Sequence, residues 1–106
     1  MSLITTPAKA LGETIPVVFD FASKLAIGET VQSLPAPTLA ATVWSGLDSN
    51  PGAILSGAAS ISGSQVSQKV TGGVAGCIYK ITCAPTTSAS NVPLLQTLLA
   101  VVQDPI

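Results

Sequence analysis

Cys77-Ile-Tyr-Lys-Ile-Thr-Cys83 alternates between two faces, with Cys77, Tyr79, Ile81 and Cys83 on one and Ile78, Lys80 and Thr82 on the other. A period of two is that of a β-strand, because successive side chains leave opposite sides of the pleat. The Tyr79 and Ile81 side is the core side, with the tyrosine hydroxyl reaching backbone. Lys80 marks the other side as solvated or covered by a partner. Working outward, Ile15-Pro-Val-Val-Phe-Asp20 places Ile15, Val17 and Phe19 on one face. Pro16 has no amide donor and belongs at a strand start or edge. Thr38-Leu-Ala-Ala-Thr-Val-Trp-Ser45 sets Leu39, Ala41 and Val43 against Ala40, Thr42 and Trp44. Residues 29–34, 53–57, 58–63 and 64–71 read as further short extended pieces.

Between these runs the period changes or breaks. After Asp20, a good cap for a helical turn, Phe21 and Leu25 stand four apart on one side, and Gly28 is a natural stop. Residues 46–52 and 84–91 are dense in turn formers. Residues 94–103 admit two readings. Leu94, Leu95, Leu98, Leu99 and Val102 fit a helical stripe, whereas the end of the segment fits a strand. The strand is preferred, because it completes a sheet beside residues 77–83, while a lone helix needs a new packing surface. About seven short strands with recurrent turn signals predict an all-β fold, an antiparallel β-sandwich with one short helical turn. Residues 1–14 have no apolar period and read as an N-terminal arm, leaving 15–106 as the sandwich domain.

The composition narrows function mainly by what is missing. The 106 residues include no His and no Arg, and the nine charged side chains are Lys9, Lys24, Lys69, Lys80, Glu13, Asp20, Glu29, Asp48 and Asp104. No imidazole is present to act as a base near neutral pH, and a net charge of −1 gives no footprint for nucleic acid. The polar positions are filled by hydroxyls, Gly, Asn and Gln, as in hydroxyl-rich strands or in a surface covered by partners. Residues 92–102 are too short and too polar to span a membrane, and the N-terminus lacks the pattern of a secretory signal. Within one strand Cys77 and Cys83 would lie about 20 Å apart, against the roughly 7 Å limit for a disulfide, so both read as buried free thiols.

No catalytic, cofactor or metal site emerges. None of the serines sits in a Gly-x-Ser-x-Gly turn, Lys24, Lys69 and Lys80 read as solvated, Asp48 reads as a turn residue, and Gly72-Gly-Val-Ala-Gly76 is not followed by the Lys of a phosphate loop. The core candidates are Val17, Phe19, Phe21, Leu25, Val43, Trp44, Tyr79 and Ile81. Trp44 is assigned to the core, as the strand-borne tryptophan of many sandwiches is, with an interface anchor as its alternative. The interface candidates are Leu3, Ile4, Leu94, Leu95 and Leu98.

Three stretches taken in order carry a family resemblance: Phe19-Asp-Phe-Ala-Ser-Lys-Leu-Ala-Ile-Gly-Glu-Thr-Val31; Val43-Trp-Ser-Gly-Leu-Asp48 followed by Pro51, Gly57 and Gly63; and Gly72-Gly-Val-Ala-Gly-Cys-Ile-Tyr79 running on to Thr86-Thr-Ser88. Together they resemble small tailed-bacteriophage proteins described as fibre–tail adaptors. The resemblance implies an immunoglobulin-like sandwich in the virion and no catalytic residues; it does not extend to residues 1–14 or 94–102. The expectation is a virion structural protein made in the bacterial host cytoplasm, present in repeated copies in a symmetric assembly. It would join tail to fibre through strand edges and flanking segments, without nucleic acid, membrane or cofactor. A capsid decoration protein is the alternative, and a carbohydrate-binding module a more distant one, since sugar platforms need exposed aromatics.

Overall fold

The computed structural model describes residues 8–32 and 36–103. Among these residues seven strands run in chain order: β1 (Ala8–Ala10), β2 (Thr14–Asp20), β3 (Thr38–Ser45), β4 (Leu55–Ser62), β5 (Gln65–Thr71), β6 (Ile78–Ala84) and β7 (Leu95–Val102). They form a four-stranded sheet, β1-β7-β6-β3, and a three-stranded sheet, β2-β5-β4. The sets β2-β5-β4 and β3-β6-β7 lie in the order of strands B-E-D and C-F-G of immunoglobulin sandwiches. Every strand pair is antiparallel except β1 with β7, which is parallel with Lys9 opposite Val101. The antiparallel expectation is corrected there.

The core is closed by alternate residues of both sheets. Phe19, Phe21, Val66, Val70, Tyr79, Ile81, Leu99 and Val101 are all buried, as is Ile54 from the turn before β4. Complete burial of a Val, Ile or Phe side chain stabilises by about 1.5–3 kcal/mol, so this set closes the sandwich without a tryptophan. Val17, Leu25 and Val43 are partly buried and pack against it. Trp44 is 61% exposed, which corrects its core assignment. It follows Val43 on the opposite side of the pleat, and the space between the sheets at β6 is already filled by Tyr79 and Ile81.

Other differences have local causes. Two 3-10 turns are present, Ala22–Lys24 and Pro51–Ile54, where one helical turn was expected. At the first, Asp20 Oδ1 accepts from the Ala22 amide at 2.9 Å. Residues 53–63, expected as two pieces, form the end of the second turn and one strand, β4, whose register against β5 breaks between Ser56 and Ser60. In the expected strand 29–34, Val31 makes only an isolated bridge to Thr87, and Ser33 and Leu34 lie outside the described residues. The expected arm 1–14 includes β1 and the start of β2: three residues are too few to show a period, and pairing with β7 orders them. Lys9 points between the sheets, fully buried, and its Nζ donates to Ala10 O at 2.8 Å and Leu11 O at 3.0 Å. Leu3 and Ile4 lie outside the described residues.

Candidate interaction face and the staples beneath it

The outward positions of the four-stranded sheet meet in register. Lys80 stands between Thr42 and Leu98, and Ile78 between Ser45 and Ala100. Ala8 and Ala10 of β1 face Ala100 and Val102. The result is a face of Ile78, Leu98, Ala100, Val102 and Trp44 with Thr42, Thr82 and Gln96 beside them, one charge, Lys80, and no acid. Lys80 Nζ lies 6.0 Å from the Trp44 ring centroid, at the outer limit of cation–π attraction. Of the interface candidates, Leu98 belongs to this face and Leu94 is exposed just before β7. Leu95 is corrected: it shares the inward side with Leu99 and packs against the core. Trp44 was reached by the sequence as an alternative. Ile78 lies on the side of residues 77–83 read as solvated or partner-covered, and Ala100 and Val102 lie in the apolar C-terminal element, but none is singled out by the sequence, because a singly apolar outward residue is unremarkable until strand order makes it a neighbour of others.

Under this face Tyr79 anchors the turns. Its hydroxyl donates to Asp48 Oδ2 at 2.6 Å and accepts from the Val74 amide at 2.8 Å. This is the geometry of a tyrosine corner at the start of the F-equivalent strand, with a carboxylate added to the expected backbone contact. Asp48 Oδ1 also accepts from the Asn50 amide at 2.9 Å, the turn role expected of it. Burial and the Asp48 carboxylate push the Tyr79 hydroxyl up to about 12, while the hydroxyl and amide it accepts from hold Asp48 below its ordinary value. A hydroxyl so held is a strut and a poor base or nucleophile. Two glycines fit this region for steric reasons. A Cβ on Gly46 (φ +106) would stand 2.6 Å from Cys77 Sγ, and one on Gly73 (φ +97) 3.0 Å from Val101 and 3.3 Å from the Tyr79 ring.

A second staple joins two of the stretches that carry the family resemblance. Glu29 accepts from the Thr87 hydroxyl, from Asn91 Nδ2 at 3.1 Å and from the Ala26 amide at 2.9 Å. These bonds hold its carboxyl below the ordinary value, Thr87 contributing most. The backbones are stitched as well: Ser88 N donates to Thr30 O at 2.8 Å, Gln32 N to Thr86 O at 2.9 Å, and Thr30 N to Ser88 Oγ at 3.0 Å. Residues of these stretches thus fix the loops at this end of the sandwich.

Little reactive chemistry is available. Both cysteines are free and buried, and burial pushes the Cys83 thiol up to about 11. Among the described residues no three His, Cys, Asp or Glu gather where a metal ion could sit, and no helix is long and apolar enough to cross a membrane. Lys24 and Lys69 are exposed.

No curated protein and no solved structure gives a significant match. A family model does, over residues 9–96, from β1 into β7 and across both staples. The chain therefore belongs to the family described as Podophage GP4 fiber-tail adaptor protein gp77.

Proposed function

We propose that this chain is a virion structural protein that joins tail and fibre components by protein–protein contacts in repeated copies, with no catalytic step. The observation that carries this reading, beside the family, is the outer face of the four-stranded sheet. An apolar patch with an exposed tryptophan and one charge gains from being covered. A rigid sandwich also holds its two outer faces in fixed relation, as a joint between two bodies requires. Locating the chain by cryo-EM of whole particles tests the reading. Density for the sandwich at the tail–fibre junction is expected; density on the head lattice would replace it with the capsid decoration role.

Exposed Trp44 is the one feature that favours the carbohydrate reading. Against it, the ring has Lys80 as its neighbour, and the other three aromatics, Phe19, Phe21 and Tyr79, are buried, so no platform of rings exists.

A further inference from the structure

Four strand edges are left unpaired by the sheet order, and three of them carry a device that discourages another chain from adding on. Edge β1 is three residues long and points a lysine inward. Edge β2 contains Pro16, which has no amide to offer. Edge β4 is broken by its bulge between Ser56 and Ser60. Edge β3 differs. Thr38-Leu-Ala-Ala-Thr-Val-Trp-Ser45 has eight residues, no Pro, no Gly and no charge, and its register shifts only at the end, between Val43 and Ser45. Apart from the ladder to β6, its backbone makes no hydrogen bond among the described residues.

Beside this edge the two sheets part to leave a groove of about 270 Å³, lined by Pro37 and Leu39 on one side and by Leu55, Ala58 and Ala59 on the other. Gln68 lines it too and is only 2% exposed. Its Nε2 donates to the carbonyls of Ser56, Gly57 and Lys69 at 3.1, 3.2 and 2.9 Å. Three carbonyl acceptors fix the orientation of the amide.

We propose that β3 is an acceptor for strand addition, and that its occupant is an extended, uncharged, small-aliphatic segment of a neighbouring virion protein. Backbone pairing with β3 would set alternate side chains of the segment into the groove and the others beside Trp44 on the outer face. The groove walls are mostly apolar and carry no charged side chain, so a charged side chain would be stripped of water with no counter-charge. A segment fits better than the edge of a second copy. Eight residues of backbone edge supply a small part of the about 1,200 Å² that a stable interface buries, whereas a segment threading the groove is contacted by both sheets. The proposal rests on the adaptor reading.

Hydrogen exchange of the full chain, free and in assembled particles, tests it. The outward amides of residues 38–45 should exchange at least about tenfold more slowly in particles, while those of residues 14–20 keep their free rate. Ala58→Lys, an exposed bulge position, should keep the thermal midpoint and lower incorporation at least about tenfold. Full incorporation with unchanged β3 exchange overturns the acceptor role and leaves the adaptor reading standing. Failure of the wild-type chain to enter particles overturns the adaptor reading itself. Slowed β3 exchange in the free chain that scales with its concentration would assign the edge to a second copy and overturn the proposed occupant.

Discussion

The two sheets of this sandwich turn similar faces inward and dissimilar faces outward. Outside the three-stranded sheet stand Thr14, Pro16, Val18 and Asp20 beside Gln65, Ser67, Lys69 and Thr71, with Ser60 and Ser62 beyond. Those groups look after one another: the Thr14 and Thr71 hydroxyls meet at 2.9 Å, and Asp20 accepts from Ser64 at 3.3 Å and Gln65 at 3.5 Å. Val18, 52% exposed, is a lone apolar residue of the kind every surface carries. Outside the four-stranded sheet, Ile78, Leu98, Ala100, Val102 and Trp44 adjoin one lysine, with the uncharged Thr42, Thr82 and Gln96 beside them. The inward faces account for the fold, and the contrast between the outward faces is what the proposed function uses to place recognition.

The largest effect that would break this contrast is on assembly. Leu98→Glu puts an acid opposite Lys80, so the sheet keeps a complementary cross-strand pair while the apolar face gains a charge. Incorporation into particles should fall at least about tenfold with the thermal midpoint moved by less than about 3 °C. Ser67→Glu, on the other face, should leave both unchanged. Equal losses from the two substitutions would erase the distinction between the faces.

Below the faces the effects are on stability. Gly46→Ala should destabilise by about 2–3 kcal/mol in urea unfolding, from the positive φ and the clash with Cys77. Adding Cys77→Ala removes the Sγ contact but leaves Cα and Cβ at 3.1 and 3.3 Å, so it should return part of the steric cost and the double substitution should cost less than the sum. Tyr79→Phe strands the Val74 amide and should cost about 1–3 kcal/mol. It should also remove a loss of stability at high pH. The Tyr79 hydroxyl is raised from 10.0 to about 12, so its contribution is whole below pH 10 and fades as pH climbs toward 12.

The smallest effect is at the acid end. Glu29, Asp20 and Asp48 are held below their ordinary values of 4.5, 3.8 and 3.8. Their contribution is present above those values and is lost as pH falls beneath them. Glu29→Gln should flatten the acid limb of a stability–pH curve. An unchanged limb would assign the acid sensitivity to the other two carboxylates.

Much of the fold was legible because alternation is written residue by residue. Tyr79 and Ile81, Leu39 and Val43, and Val17 and Phe19 declared their faces with no neighbour known. Reading failed where the deciding contact is distant in sequence. Nothing in Ala8-Lys-Ala10 announces a strand until β7 lies beside it, and nothing near Lys9 announces the carbonyls that receive its ammonium. Trp44 was assigned inward by analogy with other sandwiches although its own alternation with Val43 pointed outward. Leu95 was misplaced for a related reason, because a helical stripe and a strand share several of the same leucines. The candidate face is the least legible part, since it is assembled from four strands whose order the sequence does not state.

Hydroxyl-radical footprinting with mass spectrometry, on the free chain and on whole particles, measures the contrast between the faces most directly. In the free chain Trp44, Leu98 and Val18 should all be oxidised. In particles, strong protection of Trp44 and Leu98 with Val18 still labelled is the expected result; protection of Val18 with Trp44 and Leu98 labelled as before would contradict it.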